Sequence, residues 1–186
     1  AEALAICQHR AREKAHFAQA GVACAAYARV EDASSLAAAR ALPLFPGILK
    51  TATLGYDGKG QARVETPEAL QAAWDSLHRQ PCVLEERVDL VLELSVIVAR
   101  GRDGQAVHLP VQQNLHRDGI LAVTQVPAPD VPGPVADLAV EQAQQIAASM
   151  AYVGVLCVEF FVVRDGRLLA NEMAPRPHNS GHYSID

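Results

Sequence analysis

Cys157-Val-Glu-Phe-Phe-Val-Val-Arg-Asp-Gly-Arg-Leu-Leu-Ala-Asn-Glu-Met-Ala-Pro175 is the stretch that decides the fold of this chain. Two apolar runs flank Asp165-Gly166, a pattern that predicts two antiparallel strands joined by a tight turn. If Asp165 and Gly166 are the two loop residues, Glu159 lies directly opposite Glu172. The Cβ atoms of opposed residues on an antiparallel pair are about 4.5–5.5 Å apart, so these two carboxylates would repel each other.

A cation between the two carboxylates would remove this repulsion. Mg²⁺ is the candidate, because it binds one or two carboxylates together with phosphate oxygens. The alternative is that both glutamates lie on a solvated face of the sheet, where they repel each other only weakly. The hairpin alone leaves both interpretations open.

Composition is typical of a globular protein. The 186 residues are 50% hydrophobic and 20% charged, which predicts one substantial domain or two small subdomains. The net charge of −5 and the scattered basic residues argue against nucleic-acid binding. The chain lacks the run of about 18 apolar residues that a membrane span needs, and its first residues do not resemble a signal peptide. We therefore expect a cytoplasmic protein with no membrane partner.

The cysteines are widely spaced and show no Cys-x-x-Cys pattern. This spacing favours buried free thiols in a reducing compartment over disulfides or metal ligation. The residues concerned are Cys7, Cys24, Cys82 and Cys157.

Periodicity and turn residues predict a mixture of helices and strands. Helices are expected over residues 10–20, from 32 or 34 to 42, 66–78 and 136–150. Residues 22–30 are expected to form a short strand or an extended segment. Strands are expected over residues 46–53, 61–64, 82–86, 92–100, 106–112, 120–126 and on both sides of Asp165-Gly166. Because the two kinds of element do not alternate regularly, the pattern favours an α+β fold.

Residues 55–60, Gly-Tyr-Asp-Gly-Lys-Gly, place three glycines between two predicted strands. Glycines let backbone N–H groups approach a ligand closely, and consecutive N–H groups can form an anion-binding nest. No Gly-Lys-Ser/Thr opens a helix here, so the motif is not a Walker A loop. A plain hairpin turn explains the glycines nearly as well. Beside a phosphate-binding loop, Lys50 on the preceding strand is a candidate charge clamp.

Several polar residues outside the hairpin are also candidates for binding. Glu85 and Glu86 end an apolar strand, where they could accept from an adenine amino group or from ribose hydroxyls, or simply mark the strand end. Glu93 lies on the less apolar face of its strand. His116 is expected in a loop, where a solvated surface histidine is the simpler interpretation.

The segment after the hairpin is densely polar. Arg176, His178, Asn179 and Ser180 follow one another closely, and Pro175 and Pro177 stiffen the chain around them. An arginine with fixed neutral donors suits recognition of a second phosphate group. A disordered polar tail is the alternative, although the prolines and the nearby opposed acids favour a functional role.

Four motifs together resemble one known family. They are residues 55–61 (Gly-Tyr-Asp-Gly-Lys-Gly-Gln), 93–101 (Glu-Leu-Ser-Val-Ile-Val-Ala-Arg-Gly), 114–121 (Asn-Leu-His-Arg-Asp-Gly-Ile-Leu) and 171–182 (Asn-Glu-Met-Ala-Pro-Arg-Pro-His-Asn-Ser-Gly-His). The combination resembles the N5-carboxyaminoimidazole ribonucleotide synthetases, the ATPase subunits of bacterial phosphoribosylaminoimidazole carboxylase, in the ATP-grasp superfamily. The last motif is long and specific, and the resemblance covers essentially the whole chain.

This resemblance implies an α+β ATP-grasp fold with ATP held between two α+β subdomains. Residues 1–86 would form the first subdomain, with the phosphate loop, and residues 87–186 the second, with the Mg²⁺ site. The implied reaction uses ATP and bicarbonate to carboxylate 5-aminoimidazole ribonucleotide through carboxyphosphate, releasing ADP and phosphate in purine biosynthesis. The full-length enzyme is expected to be a homodimer, and chains of this family extend beyond both ends of these residues.

The resemblance also implies roles for individual residues. Glu159 and Glu172 match the family's Mg²⁺ carboxylates. Residues that match ATP-contacting positions are Arg10, Lys50, Gly55, Tyr56, Asp57, Gly58, Lys59, Gly60, Gln61, Glu85, Glu86, Arg87, Val88, Glu93, His116, Asn171 and Glu172. Residues that match the ribonucleotide-binding positions are Arg176, His178, Asn179 and Ser180. Leu54 departs from the pattern, because the family usually has a glycine there, and we expect it to stiffen one end of the phosphate loop.

Two other interpretations stay open at this point. One is an ATP-grasp ligase or carboxylase that acts on a different acceptor, against which the run at residues 175–182 argues. The other is a nucleotide-binding module without catalytic activity.

Overall fold

The computed structural model describes residues 2–53, 55, 59–117 and 119–185. The helices are α1 (Glu2–Cys7), α2 (Arg10–Gln19), α3 (Ala33–Arg40), α4 (Leu70–Ser76) and α5 (Gly133–Ser149). The strands are β1 (Tyr27–Val30), β2 (Gly47–Thr51), β3 (Gln61–Val64), β4 (Cys82–Glu86), β5 (Leu90–Arg100), β6 (Ala106–His108), β7 (Gln112–Arg117), β8 (Ile120–Gln125), β9 (Gly154–Val163) and β10 (Leu168–Ala174). Short 3₁₀ helices cover Pro67–Ala69 and Asn179–Ile185. This mixture confirms the predicted α+β class.

The residues form two compact units, each with its own sheet and apolar core. Unit 1 comprises Ala1–Cys7, Arg12–Cys24 and Asp89–Asp186, and unit 2 comprises Gln8–Ala11 and Ala25–Val88. The change from unit 2 to unit 1 after Val88 lies close to the boundary expected from sequence. The division into functional subdomains at residues 1–86 and 87–186 stays a prediction.

Unit 2 is built on a four-stranded antiparallel sheet with the order β1-β4-β2-β3. The alternation of buried and half-buried residues along β2 is that of a strand with one face on a core. Leu49 of β2 pairs with Leu84 of β4, and both side chains are fully buried. Helices α3 and α4 contribute Leu36, Leu70 and Trp74 to the same core.

Unit 1 is built on a six-stranded antiparallel sheet with the order β10-β9-β5-β7-β8, and β6 pairs with the far end of β5. Alternate residues of β5 and β9, such as Val96 and Val158, lie in the core. The opposite face of the same strands carries Ser95 and Glu159 instead. One face of the sheet is therefore apolar, and the other, called the polar face below, mixes polar side chains with apolar ones such as Ile97 and Cys157.

Helix α5 contributes the residues predicted from its periodicity to the apolar core of unit 1. Ala139, Ala143, Ile146 and Ala147 are fully buried, and Met150 is partly buried against them. The helix begins at Gly133, earlier than the predicted residue 136. Pro134 fits in the first turn because the N–H that proline lacks has no helical partner there.

The sequence prediction was wrong about residues 109–117. The predicted strand 106–112 ends at His108, and the predicted loop with His116 is strand β7. Gln112-Gln-Asn-Leu-His-Arg117 has a single apolar residue, so it lacks the alternation by which a strand is recognised. In the predicted strand or extended segment at residues 22–30, the strand is confined to Tyr27–Val30, with an isolated bridge between Cys24 and Ala170.

The β9–β10 hairpin places Glu172 opposite Glu159, as predicted, but by a different route. The loop has three residues, Arg164 to Gly166, because the Val163 N–H donates to the Arg167 carbonyl oxygen over 3.0 Å. Gly166 takes φ +84°, which is typical of three-residue hairpin loops. This loop alone would shift the register by one residue. A bulge at Asn171 restores it, since Ala170 pairs with Phe160 and Glu172 with Glu159.

The four cysteines, all in the described part of the chain, are not joined in disulfides. Burial raises the pKa of Cys82 to about 11 and that of Cys7 to about 12. Over the described residues, every helix is too short or too polar to cross a membrane.

Replacing Gly166 by Ala should lower the free energy of unfolding by about 1 kcal/mol, because an L side chain is strained at positive φ. An added Cβ at Gly166 would meet no atom within 4 Å, so the cost is that of the backbone alone. Gly133→Ala is the matched control, since its Cβ would also meet nothing and its φ is not positive. Urea denaturation measures both variants. Equal stability of the two would contradict the assigned loop conformation.

Candidate active site

The polar face of the six-stranded sheet in unit 1 gathers side chains from four adjacent strands. Glu159 of β9 is paired with Glu172 of β10 on one side and Ser95 of β5 on the other. Glu93 of β5 is in turn paired with Asn114 of β7. Because residues two apart in a strand share a face, these side chains lie on the same surface.

The Glu159–Glu172 pair is the centre of this surface. Glu159 is buried and Glu172 is half-buried, so water screens their repulsion poorly. Glu172 follows Asn171 at the bulge, a device that re-aims side chains beside active sites.

The pair fits a magnesium ion that shares its remaining ligands with a phosphorylated substrate. Within the described ranges, no group of three or more His, Cys, Asp and Glu side chains is arranged to hold a metal. Two carboxylates would therefore leave the other ligand positions to phosphate oxygens and water, as Mg²⁺ prefers. The donor set is all oxygen, which suits a hard cation rather than zinc.

Contacts along the outer edge of β10 anchor the bulge. The Met173 N–H donates to Oε1 of Glu13 over 2.6 Å, and the Ala170 N–H donates to the Ala23 carbonyl oxygen over 2.7 Å. Glu13 is 3% exposed. These hydrogen bonds lie on either side of Asn171 and Glu172, so they fix the backbone that carries the metal-ligand candidate. Glu13 was not identified from sequence, because an acid in an amphipathic helix looks like a surface residue.

His116 lies on the polar face beside Glu93. Its Nδ1 is 2.6 Å from Oε2 of Glu93, and both side chains are about one-fifth exposed. The hydrogen bond to Glu93 raises the pKa of His116 above its usual value of 6.5, and the charges of Glu159 and Glu172 act in the same direction. His116 therefore extends the carboxylate cluster with a group that readily becomes cationic.

His178 connects the polar tail to the carboxylates. Its Nε2 is 3.0 Å from Oε1 of Glu159, and its Nδ1 is 2.9 Å from Oγ of Ser180. His178 is 9% exposed and Ser180 is fully buried. The predicted cluster after the hairpin is thus partly folded onto the sheet. Arg176 and Asn179 are exposed instead, and the Arg176 guanidinium donates to the Pro177 carbonyl oxygen.

In unit 2 the structure brings Lys50 and Glu85 together. Lys50 Nζ is 3.0 Å from Oε2 of Glu85, and both side chains are largely buried. Their strands β2 and β4 are neighbours in the sheet. The Glu85 carboxylate neutralises the Lys50 ammonium in this arrangement, and the role of Lys50 as a charge clamp stays a prediction.

The ends of the glycine loop in unit 2 are closely packed. A Cβ added to Gly60 would lie 2.7 Å from Thr51 Oγ1 and 3.6 Å from the Cα of Gly55. A Cβ on Gly55 would lie 3.3 Å from an Arg10 guanidinium nitrogen. Gly60 therefore needs glycine, also because its φ is +71°, whereas a side chain at Gly55 would crowd its neighbours. The predicted loop residues Tyr56, Asp57 and Gly58 and the preceding Leu54 lie outside the described residues, as does Asp118 of the motif at residues 114–121.

The remaining candidates of unit 2 lie on its exposed or half-buried surface. Glu86 and Val88 are half-buried. Arg87 is exposed and donates to Oε1 of Glu65 over 2.9 Å. Lys59 and Gln61 are exposed next to the loop.

Residues 15–186 match the family model of the ATP-grasp domain. The chain belongs to the ATP-grasp family. The ATP-grasp fold predicted from the four motifs is therefore confirmed.

The relatives that match most of the chain include N5-carboxyaminoimidazole ribonucleotide synthases, as the four motifs indicated. The chain is 43% identical over 184 residues to N5-carboxyaminoimidazole ribonucleotide synthase of Brucella melitensis. This alignment covers 98% of the present chain and 51% of the relative. A crystal structure of N5-carboxyaminoimidazole synthetase from Staphylococcus aureus in complex with ADP matches with a TM-score of 0.90 and 37% identity, over 98% of this chain and 48% of that one.

A third match comes from Aspergillus clavatus. The crystal structure of its N5-carboxyaminoimidazole synthase, in complex with ADP and 5-aminoimidazole ribonucleotide, has a TM-score of 0.87 and 27% identity, over 99% of this chain and 48% of that one. The ATP-grasp chain described here spans about half the length of the relatives it matches.

Replacing Glu93 by Gln should lower the pKa of His116, because Gln offers no negative charge to the imidazolium. A raised folded-state pKa adds stability that is fully present below about 6.5 and is lost as the pH rises through the folded-state value. NMR titration of the His116 ring protons measures the pKa in both proteins. An unchanged His116 titration would contradict the assigned pair.

Proposed function

We propose that this chain takes part in the ATP-dependent carboxylation of 5-aminoimidazole ribonucleotide by bicarbonate. The products would be N5-carboxyaminoimidazole ribonucleotide, ADP and phosphate. The observation that carries the proposal is the opposed Glu159–Glu172 pair on the polar face of the sheet. The named relatives support it, since one of them binds ADP together with the aminoimidazole ribonucleotide.

Glu159 and Glu172 would hold Mg²⁺ on the phosphates of ATP, with Asn171 as their neighbour in the bulge. The metal would supply charge neutralisation for the transferring phosphoryl group. The buried position of Glu159 and the anchored backbone of Glu172 support this role, because a pre-organised donor set needs little rearrangement during the reaction.

Lys50 and the other residues that match ATP-contacting positions would bind the nucleotide. Lys50 would contact the phosphates, with Arg10 and the glycine loop at residues 55–61 as further phosphate donors. Glu85, Glu86, Arg87 and Val88 would read the adenine, and Glu93 and His116 would lie at the ribose side. The tight packing of Gly55 and Gly60 supports a backbone-lined phosphate loop, because a side chain at either position would fill that space.

Arg176, His178, Asn179 and Ser180 would bind the second substrate. The exposed Arg176 is available to a phosphate group, while His178 contacts Glu159 directly. The acceptor would then be recognised close to the carboxylates that organise ATP.

The chemistry follows from these positions. A bicarbonate oxygen attacks the γ-phosphorus of ATP, the bond to the β-phosphate oxygen breaks, and ADP leaves. The carboxyphosphate formed gives up its carboxyl group, directly or as CO₂, to the exocyclic amine of the ribonucleotide, and phosphate is released. Protein groups mainly position the reactants and stabilise negative charge. Water must be excluded, since it would hydrolyse carboxyphosphate.

Two rival functions predict different results. Another ATP-grasp ligase would release ADP with bicarbonate but would not respond to 5-aminoimidazole ribonucleotide. A nucleotide-binding module would bind Mg-ATP in calorimetry and release no ADP. The predicted homodimer is a separate proposal, which sedimentation of the full-length enzyme would test.

Replacing Glu172 by Gln should reduce Mg²⁺-dependent ADP release about 100-fold or more, because partners even one shell away from a metal typically contribute 10–100-fold. The assay measures ADP in the presence of bicarbonate, with and without 5-aminoimidazole ribonucleotide. The matched control is Glu141→Gln, which removes the same charge from an exposed position on α5. Wild-type turnover of Glu172→Gln would refute the metal role of this carboxylate. Absence of stimulation by the ribonucleotide would refute the proposed acceptor.

A further inference from the structure

A row of hydrogen-bonding side chains, buried except at its half-buried end on β8, runs from Glu159 across the polar face. Its members are Glu159, His178, Ser180, Ser95, Asn114 and Thr124. Sequence reasoning identified the first three members and missed the others. Ser95, Asn114 and Thr124 each lie on a different strand, where a small polar residue looks like solvated surface. Composition therefore gave no signal for them.

The His178 ring has a defined orientation within this row. Its Nδ1 accepts from the Ser180 N–H over 3.3 Å, so Nδ1 has no proton of its own in this arrangement. The ring N–H is therefore on Nε2, which lies 3.0 Å from Oε1 of Glu159. The hydroxyl of Ser180, 2.9 Å from Nδ1, completes the contacts of that nitrogen.

Ser95 fixes the position of the Ser180 hydroxyl. The two Oγ atoms are 2.9 Å apart, and both residues are fully buried. Ser95 Oγ also accepts from Asn114 Nδ2 over 3.0 Å and can donate to Gln112 Oε1 over 3.2 Å. Ser95 thus joins the tail to the middle strand of the sheet through its hydroxyl group.

The backbone of the tail lies directly on the sheet at this point. A Cβ added to Gly181 would lie 2.5 Å from Cδ1 of Ile97. Ile97 is on the same strand and face as Ser95, so Gly181 packs closely against the sheet beside Ser95. The hydrogen bonds of Ser95 and the packing at Gly181 together determine where the His178 ring stands.

We infer that Ser95 is a positioning residue, which acts through the Ser180 hydroxyl to hold the His178 ring against Glu159 and so orients that carboxylate. The contact between His178 and Glu159 stands on the geometry alone. Only its consequence for Mg²⁺ binding rests on the proposed function. Residues that hydrogen-bond to a metal ligand commonly contribute to metal affinity, because a carboxylate that is free to rotate binds its metal more weakly.

The test compares Ser95→Ala and Ser180→Ala with Ser149→Ala in this chain. Ser149 is the matched control, since its Oγ lies 2.9 Å from Nε2 of His16, a serine–histidine contact of the same length away from the carboxylates. The ¹⁵N chemical shifts of the histidine ring nitrogens report which nitrogen has the proton. Titration with Mn²⁺ in the presence of ADP, followed by electron spin resonance, reports metal affinity.

In the wild type we expect a single His178 form with the proton on Nε2. Ser95→Ala and Ser180→Ala should shift both ring-nitrogen signals of His178 towards averaged values and weaken Mn²⁺ binding about tenfold. Ser149→Ala should change neither quantity. Wild-type His178 shifts in Ser95→Ala would overturn the inference. If one serine variant does not fold, the other decides the outcome. Failure of the wild type to bind Mn²⁺ with ADP would refute the proposed function, while the shifts would still decide the inference.

Discussion

The register of β9 against β10 is the constraint on which the site depends. It places two carboxylates opposite each other, and this arrangement costs free energy in the absence of a cation. The fold maintains it with a bulge at Asn171 and with hydrogen bonds from the neighbouring strand edge to Glu13 and Ala23. A structure that satisfied stability alone would not need these features. Their combination is expected where metal and phosphate are held.

The polar face of unit 1 supplies hydrogen-bonding partners that lower the cost of burying Glu159. Buried polar groups are costly unless they are hydrogen-bonded. Here Glu159 contacts His178, and Ser95, Asn114 and Ser180 satisfy one another. The apolar face of the same strands packs on α5 and supplies the core. The apolar face thus provides stability, and the opposite face carries the polar cluster at which we propose that the chemistry takes place.

Much of this arrangement could be predicted from sequence. The fold class, α2, α3, β4 and the buried face of α5 follow from periodicity and capping. The pairing of Glu159 with Glu172 was also predicted correctly, but only because two deviations cancel. The loop has one residue more than assumed, and the bulge at Asn171 shifts the register back by one residue. Turn length depends on φ at Gly166, which the letters Asp-Gly do not determine.

Residues whose partners are distant in sequence could not be predicted in this way. Strand β7 has too few apolar residues to show a period of two, so His116 looked like a loop residue. Glu13 and Ser95 acquire their roles from contacts with Met173 and Ser180, 160 and 85 residues away. Such pairings depend on tertiary structure, and local sequence patterns do not predict them.

The most direct test of this account is paramagnetic broadening by Mn²⁺, which binds oxygen ligands as Mg²⁺ does. With ADP present, substoichiometric Mn²⁺ should selectively broaden the backbone amide signals of residues 158–160 and 171–173, because broadening falls steeply with distance from the metal. Amides around the exposed Glu141 on α5 should stay sharp. Broadening centred elsewhere, or equal broadening throughout the chain, would contradict the claim that the β9–β10 carboxylate pair holds the metal.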